Sequence, residues 1–470
     1  MPTSNDSDNT ASLFFWYFPS LNESSTNLVI WLNGGPGCSS LFGSFEENGP
    51  LTMSDQGQLI ANLNSWHNQA NLLYLEQPLG TGFSFNNNPD IGPFTEYQVA
   101  SQFLSFINGF YAVFPNTQSW DLYITGESYA GTYIPYMATA IIYCNKTLFD
   151  GITPLPLKGI GIGNGFMDYN IQTGLPSIQN KFAYLSATNL FDSHPQDKKW
   201  VSELRDMCLS TQNASEYHAL PYKCDPWSIA NTWIQDSRND FFNTSTCLDL
   251  YNIEKTIPCG DSDTFTARNG AITNYLNTLS VRQALHVDPT DPNLLADQPF
   301  HVWGQCQDTT ITLNRDQSYP SSDSFIPTLI TAGLKVLIFN GDRDFMINYI
   351  GVEQVLANLT WGGATGFTTP RRDWLVNAVN AGEYWYDRGL TYIRVWDAGH
   401  MVSADQPISG SAVLKELLAE TPSSTVFVDS AYGWLALNGP LEKSVGFRRK
   451  RSMMDFTMRA LHFQNQKVHR

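Results

Sequence analysis

The stretch Tyr123 to Pro135, YITGESYAGTYIP, joins a strand to a helix through a tight turn. A strand is predicted from Leu122 to Thr125, and apolar spacing predicts a helix from Tyr129 to Ile142. Similar short apolar runs, several followed by glycine, occur at 28–32, 72–75, 160–162, 336–339 and 392–396, and a further helix is predicted over 97–114. Strands that alternate with helices predict an α/β fold with a mostly parallel sheet.

Ser128 stands in the turn of this stretch, flanked by the small residues Gly126 and Ala130. A strained strand-to-helix elbow needs small residues there, and it lifts a serine hydroxyl clear of the sheet. The same turn aims the backbone N–H of the next residue, Tyr129, at a developing oxyanion. Because such strings are common, an ordinary strand-to-helix turn is the alternative interpretation at this point.

A nucleophilic serine needs a base, and the base needs an orienting acid. In α/β-hydrolases these follow the serine in the order acid, then histidine. Asp344 comes just after the strand VLIFN, and His400 comes just after the strand that ends at Trp396. Open α/β sheets place their sites at these carboxyl ends of strands. Other histidines have weaker contexts, among them His67, His194 and His286.

A second glycine-rich segment, Asn33 to Ser40 (NGGPGCSS), directly follows the strand LVIWL. Its glycines let backbone N–H groups approach a ligand closely, as a second oxyanion donor requires. A phosphate loop is the competing interpretation, but no Lys-Ser or Lys-Thr pair follows. The segment Gly159 to Gly165 is better explained as a strand and its exit turn.

The composition limits the function classes. The chain has 470 residues, 42% of them apolar, and a formal net charge of −17, which argues against nucleic-acid binding and is compatible with an acidic compartment. The chain contains no run of about 18 apolar residues, so no membrane span is predicted. The polar start of the chain lacks an apolar signal core, so a signal segment is expected to be missing. Clustered cysteines and six sequons favour an oxidising, glycosylating compartment; the sequons are at Asn5, Asn22, Asn145, Asn213, Asn243 and Asn358.

The chain divides into four predicted parts. Residues 1–180 and 305–420 are assigned to the α/β core, because the strands and the candidate site residues lie there. Residues 181–304 lack clear strand alternation and hold four of the seven cysteines, which predicts a mainly helical, disulfide-pinned lid. Residues 421–470 form a basic tail around Arg448 to Arg451.

Six segments together resemble the serine carboxypeptidase family of the α/β-hydrolase superfamily, including its fungal carboxypeptidase Y-like members. They are, in the family's order and spacing, WLNGGPGCSS, EQPLGTGFS, YITGESYAGTYIP, GIGNGFMD, NGDRDFMIN and DAGHMV. The resemblance implies an α/β-hydrolase fold with a lid and a catalytic triad of Ser128, Asp344 and His400, with Asp344 rather than Asp342 as the acid. It also implies that the oxyanion donors are the N–H groups of Gly35 and Tyr129.

The resemblance further implies a site for the terminal carboxylate of a peptide, formed by Asn33, Gly34, Glu47 and Glu127. Two ionised glutamates would repel a carboxylate, so at least one must carry a proton, which close burial of like charges favours. Activity is therefore expected to favour acidic pH. Two departures from the family pattern are Glu46, an added acid near the pocket for the leaving residue, and Ser403, where the family usually has proline.

Spacing and the resemblance together predict the disulfides. Cys38 is expected to pair with Cys306, and Cys144 is expected to be free. The remaining pairs are expected to pin the lid, Cys208 with Cys224 and Cys247 with Cys259.

The resemblance implies release of C-terminal residues from peptides and proteins through an acyl-enzyme. No metal, cofactor or nucleic-acid partner is expected, and the implied location is secreted or vacuolar, lysosome-like. Two alternatives stay open: an acyltransferase of the same family, and a catalytically inactive glycosylated binding protein on the same scaffold. Labelling of Ser128 by a fluorophosphonate separates an enzyme from the inactive scaffold, and acyl-donor assays separate the two enzymes.

Overall fold

The structure of the protein is a computed structural model. It describes residues 11–54, 56–86, 92–147, 154–173, 175–188, 246–258, 267–287, 302–307 and 320–428, with a few single residues between these segments. The predicted basic tail beyond residue 428 and much of the predicted lid lie outside the described residues. Within the described residues, no helix is long and apolar enough to cross a bilayer.

The centre of the described part is a ten-stranded sheet in the order β18-β15-β16-β17-β12-β9-β8-β3-β6-β2. Its six strands from β17 to β6 run parallel, while β2 and the pairings of β16 are antiparallel. The strands in chain order are β1 Ala11–Ser12, β2 Phe14–Phe18, β3 Asn27–Leu32, β4 Leu51–Met53, β5 Leu59–Ala61, β6 Asn71–Glu76, β7 Phe85–Asn86, β8 Asp121–Glu127, β9 Leu157–Gly163, β10 Thr246–Leu248, β11 Thr256–Pro258, β12 Lys335–Gly341, β13 Thr360–Trp361, β14 Ala364–Thr365, β15 Arg372–Val376, β16 Val379–Asp387, β17 Leu390–Val395 and β18 Thr425–Val426.

Helices cover both faces of this sheet. They are α1 Ser40–Glu46, α2 Glu96–Val113, α3 Ala130–Thr147, α4 Tyr169–Gln172, α5 Leu175–Ala187, α6 Ala267–Leu276, α7 Leu279–Ala284, α8 Ile326–Thr331, α9 Tyr349–Asn358, α10 Val402–Asp405 and α11 Pro407–Leu418. The start of α2 is fixed by a capping box, in which Thr95 and Gln98 satisfy each other's backbone N–H groups.

Successive residues of β3 show how the core is divided. Leu28 and Ile30 pack into the cluster that holds α2 and α3, whereas Val29 and Trp31 pack into the cluster that holds α1 and α11. Both sets are buried, because successive side chains of a strand point to opposite faces and both faces are covered. The expectation of a mostly parallel α/β sheet flanked by helices is confirmed.

The carboxyl ends of the parallel strands bring the loops that carry the candidate site residues to one edge. Residues directly after β3, β8, β9, β12 and β17 are 33, 128, 164, 342 and 396. This is the edge at which open α/β sheets form their sites.

The described part of the predicted lid contains the second half of α5, a short hairpin and the helices α6 and α7. The hairpin pairs β10 with β11 antiparallel, and α6 follows it. The loop of this hairpin contacts the sheet edge: Ile253 N–H donates to Arg343 O at 3.0 Å and Phe345 N–H donates to Leu250 O at 3.1 Å. The division at residues 180, 304 and 420 stays a prediction.

Candidate active site

Ser128 lies in the turn between β8 and α3 with a positive φ of 63°. This conformation is strained for a residue with a side chain, and it persists only where neighbouring contacts enforce it. The Ser128 N–H donates to Gly163 O at 3.0 Å, and the Ser128 carbonyl accepts from Phe166 N at 2.9 Å. The turn at the end of β9 thus holds the backbone of the elbow, and the Ser128 side chain is partly exposed.

The small neighbours of Ser128 are required by close packing. A Cβ added at Gly126 would lie 2.2 Å from Leu32 O and 2.8 Å from Ala130 Cβ. A Cβ at Gly131 would lie 2.8 Å from Phe166 N. The sequence GESYAG therefore has small residues where the adjacent strand and turn leave no room for larger ones.

His400 and Asp344 meet at the same edge. The His400 Nδ1 lies 2.7 Å from Asp344 Oδ2, and the exposed fractions of these residues are 5% and 0%. Asp342 lies in the same loop but contacts Arg343 instead, with 3.6 Å between its Oδ1 and Nε. The structure therefore brings Asp344, not Asp342, to the histidine.

Asp344 accepts hydrogen bonds from several N–H groups besides His400. Asn164 Nδ2 donates to its Oδ2 at 2.7 Å, while the backbone N–H groups of Met346 and Ile347 donate to its Oδ1 at 2.8 and 3.3 Å. These bonds fix the carboxylate in the orientation in which it holds His400.

Asn164 was missed as a site residue by the sequence reasoning, although its segment GIGNG was singled out. It has a φ of 43°, and its Oδ1 accepts from Gly341 N at 3.2 Å while its Nδ2 reaches Asp344. The available signal was its type and position, since asparagine tolerates left-handed backbone and this one directly follows a strand.

The β10–β11 hairpin, which belongs to the predicted lid, contacts His400. The His400 N–H donates to Tyr251 O at 2.7 Å, and the Tyr251 ring meets the imidazole edge-on with 5.0 Å between centroids. Asp405 Oδ2 accepts from Gly399 N and from Asn252 Nδ2, at 2.7 and 2.8 Å. Sequence reasoning had no signal for these contacts, because they join segments about 150 residues apart.

The loop after β3 lies against the elbow. A Cβ added at Gly34 would lie 2.4 Å from Tyr129 N and 2.8 Å from Ser128 Cβ. The next residue, Gly35, has a φ of 111°, which a residue with a side chain rarely adopts. Both predicted oxyanion donors therefore belong to backbone segments that come together beside the Ser128 side chain.

A disulfide ties this loop to a later part of the chain. Cys38 and Cys306 are bonded, and the two segments also form a β-bridge and share the hydrogen bond from Gln307 N to Gly37 O, at 3.0 Å. The Cys38–Cys306 disulfide is the pairing that spacing and the resemblance predicted.

The predicted carboxylate-binding residues form a buried cluster next to the elbow. Asn33 Nδ2 donates to Glu127 Oε1 at 2.9 Å and reaches Glu47 Oε1 at 3.4 Å. The exposed fractions of Asn33, Glu47 and Glu127 are 3%, 4% and 5%. The Asn33 Oδ1 is fixed by Trp31 Nε1 at 2.9 Å and by Gly43 N at 3.2 Å, so its Nδ2 must point at the two acids.

Burial raises the pKa of Glu127 well above its usual range, and the nearby Glu47 charge adds to this rise. Burial also raises the pKa of Glu47, partly offset by hydrogen bonds from Glu127 and Asn33. Burial thus favours a proton on the pair, and the two carboxyl groups lie close enough to interact. This arrangement can hold one proton between two acids.

The two departures from the family pattern are both buried. Glu46 forms an ion pair with Arg268 of α6, with 3.0 Å between Oε2 and Nη1. Ser403 packs against Gly410, where an added Cβ would lie 2.4 Å from its Oγ.

The remaining predicted sites are only partly described. Cys144 is free and half-buried, while Cys208 is buried and disulfide-bonded. Asn22 and Asn358 are exposed, as a glycan acceptor must be. The described residues include no group of three or more His, Cys, Asp or Glu arranged to hold a metal ion. The side chains of the other predicted residues lie outside the described part: Cys224, Cys247, Cys259, Asn5, Asn145, Asn213 and Asn243.

Comparison with known proteins gives a consistent result. The family model described as serine carboxypeptidase matches residues 3–420. The pheromone-processing carboxypeptidase kex1 of Talaromyces stipitatus is 34% identical over 413 residues, covering 86% of this chain and 63% of the relative. Its counterpart in Aspergillus niger is 33% identical over 413 residues, covering 86% of this chain and 64% of the relative. The chain thus spans less than two thirds of the length of these relatives.

Among solved structures, the chain is similar to Kex1(delta)p, a prohormone-processing carboxypeptidase from Saccharomyces cerevisiae. The TM-score is 0.72 at 30% sequence identity, and the match covers 89% of each chain.

Proposed function

Because the chain belongs to the serine carboxypeptidase family, we propose that it is a serine-type carboxypeptidase that releases C-terminal residues from peptides through an acyl-enzyme. The observation that carries the proposal is the buried Asn33–Glu47–Glu127 cluster directly beside the nucleophile elbow. A triad alone serves many hydrolases, whereas a proton-sharing acid pair next to it suits recognition of a free carboxylate.

The proposed roles follow from the geometry. His400 takes the Ser128 proton as the oxygen attacks the scissile carbonyl, and Asp344 holds the imidazole by its Nδ1. The N–H groups of Gly35 and Tyr129 stabilise the oxyanion of the tetrahedral intermediate. His400 then gives the proton to the leaving amine, and a water molecule hydrolyses the acyl-enzyme by the same steps.

The acid pair explains how the exopeptidase selects a chain end. A protonated carboxyl and the amide of Asn33 can both donate hydrogen bonds to the substrate's terminal carboxylate. Since only the protonated pair attracts that carboxylate, substrate binding favours acidic pH, while His400 must stay unprotonated in the free enzyme to act as base. Gly34 packs against the Glu127 carbonyl and the Ser128 Cβ, which brings its loop next to this pair.

The test compares free and amidated peptides of the same sequence, with fluorophosphonate labelling of Ser128 in parallel. We expect stoichiometric labelling, release of the last residue from the free acid, and much poorer cleavage of the amide. The variant Ser128→Ala serves as the control for both readouts. Labelling without peptide hydrolysis would contradict the carboxypeptidase proposal, and absence of labelling in folded protein would contradict an enzyme of this mechanism.

We further place the protein in the secretory pathway, with peptides or proteins that end in a free carboxylate as substrates. The Cys38–Cys306 disulfide and the exposed sequon residues Asn22 and Asn358 support that location, since disulfides and N-glycans form there. A glycosidase-sensitive mass shift of the expressed protein, reduced by one glycan in each of the variants Asn22→Gln and Asn358→Gln, tests it.

A further inference from the structure

Glu76 is a fully buried acid that the proposed mechanism does not use. It is the last residue of β6, and its exposed fraction is 0%. Its Oε1 accepts a hydrogen bond from the Ser39 hydroxyl, and its Oε2 accepts from Phe83 N at 2.5 Å. Gly82, with a φ of 55°, lies so close that any Cβ there would overlap the carboxyl group. The chain therefore forms a fitted enclosure around this acid.

The direction of the Ser39 hydrogen bond follows from a count of donors. The Ser39 Oγ accepts from Leu41 N at 3.2 Å and from Trp303 Nε1 at 3.0 Å. Its two acceptor positions are then used, so its single proton is left for Glu76. Burial raises the pKa of Glu76 to about 7, and the donors around it, Ser39 first, oppose that rise.

Ser39 connects Glu76 to the loop that carries the predicted oxyanion donor Gly35. It follows the disulfide-bonded Cys38 directly, caps helix α1, and donates its own N–H to Gln305 O at 2.6 Å. Cys38 N in turn donates to Gly34 O at 3.1 Å, which closes the turn containing Gly35. A shift of Ser39 is thus passed to Gly35 through a short, hydrogen-bonded turn.

The carboxylate-binding acid Glu47 lies at the opposite end of α1 from Ser39 and is held by contacts at that end. Its backbone N–H donates to Gly43 O at 3.0 Å, and its backbone carbonyl accepts from Asn62 Nδ2 at 3.0 Å. Its side chain meets Asn33 and Glu127. Loosening of Ser39 should therefore disturb the oxyanion loop more than the site for the terminal carboxylate.

We propose that Glu76 is a positioning residue for the reaction, which holds the oxyanion loop in place through Ser39 and thereby fixes the Gly35 N–H. The proposal rests on the carboxypeptidase function above. It assigns to Glu76 an effect on the transition state, where the oxyanion forms, rather than on substrate binding.

The test uses Glu76→Gln, which keeps the volume but directs an amide N–H₂ either at the donors Ser39 and Leu41 or at the donor Phe83. Removing one oxyanion donor costs about 10²–10³-fold in kcat, so misplacing one should lower kcat roughly tenfold to 100-fold while KM changes less than about threefold. Labelling of Ser128 by the fluorophosphonate should slow by a similar factor. Ser39→Ala should give the same pattern, and the double variant should lose little beyond the worse single variant.

The matched control is Glu416→Gln. Glu416 lies on helix α11, away from the elbow. It is also a buried acid, with an exposed fraction of 1%, and its Oε1 accepts a hydrogen bond from Tyr384 OH at 2.9 Å. Its variant should lose stability without loss of kcat. If Glu76→Gln behaves like Glu416→Gln, or if its loss appears in KM, the positioning role is wrong and Glu76 only stabilises the fold. If the wild-type protein neither labels nor hydrolyses peptide, the proposed function itself fails, which is a separate outcome.

Discussion

Two buried acid sites flank Ser128, and they differ in the donors that surround them. Asp344 faces the N–H groups of Asn164, Met346 and Ile347 as well as His400. Glu47 and Glu127 share a single amide Nδ2 and otherwise face each other. Residues of one chemical class at similar depth are thus fitted for opposite tasks. The first site is built to accept hydrogen bonds, and the second is built to retain a proton.

This difference shows that burial alone does not decide what a carboxyl group does. Donors that point at both oxygens make Asp344 a fixed acceptor for the imidazole. Burial, together with the like charge nearby, raises the pKa values of the glutamate pair, and the few hydrogen bonds from Asn33 oppose that rise only in part. The following experiments test each side of the comparison by changing one carboxyl group to its amide.

The largest effect is expected for Asp344→Asn. An amide N–H₂ at Oδ2 faces both His400 and Asn164, and at Oδ1 it faces the N–H groups of Met346 and Ile347. The first placement favours the wrong imidazole tautomer and the second opposes two donors, so kcat should fall about 10⁴-fold with little change in KM. The measurement is steady-state hydrolysis of a free-acid peptide.

The matched control is Asp342→Asn in the same loop, which contacts Arg343 rather than His400. It should keep kcat within about threefold, since a partly exposed ion pair contributes little. Equal losses in the two variants would contradict the assignment of Asp344 as the orienting acid.

An intermediate effect is expected for Glu127→Gln. In the wild type, KM should rise about tenfold per pH unit once the pH exceeds the raised pKa of the pair, because the doubly ionised pair repels the substrate. The variant keeps a neutral donor at every pH, so its KM should start higher at acidic pH but rise less steeply. Peptide KM measured from acidic pH to a pH well above about 8, the raised pKa of Glu47, shows this difference.

The same pair should link pH to stability. The folded state holds the shared proton more tightly than the unfolded chain, so the pair's contribution to stability falls as the pH rises from the usual glutamate range to the raised pKa values. Glu127→Gln should flatten that part of the melting-temperature profile.

For the KM experiment, a wild-type KM that stays flat, or a variant whose KM rises as steeply, would show that the pair does not share a binding proton.

The smallest effect is expected for Glu46→Gln. The Glu46 charge raises the pKa of Glu47, so its removal should move the rise in KM to lower pH by about half a pH unit. Asp121→Asn at the other end of β8, where the acid pairs with Lys158, is the control and should leave the profile in place. An unchanged profile in Glu46→Gln would mean that Arg268 already neutralises the Glu46 charge at this position.

The parallel strands could be predicted from the sequence because they are short continuous apolar runs. The predicted run 336–339 lies within β12, and the predicted run 160–162 lies within β9. The hairpin of β15 and β16 was not predicted. Its strands lie near the sheet edge, exposed and buried residues alternate there with charged and aromatic types, and a bulge between Trp374 and Leu375 breaks the pattern.

The site could be predicted as far as local motifs reach. Ser128, Asp344 and His400 each come shortly after a strand that can be recognised in the sequence. The structure brings Asp344 to His400. Their support could not be predicted, because Tyr251 and Asn164 act through contacts with residues far away in the sequence. The roles of the triad, the oxyanion donors and the carboxylate-binding residues stay predictions until the variants are measured.

The bond between Cys38 and Cys306 also sets an order of events during biosynthesis. The two cysteines are 268 residues apart, so the ribosome delivers the second long after the first. The disulfide of the loop that follows β3 cannot form until the intervening chain, including the predicted lid, has been synthesised. Asp344 and His400 are translated later still. A nascent chain therefore carries Ser128 before its proposed partners exist, and the proposed active site can assemble only with the last part of the core.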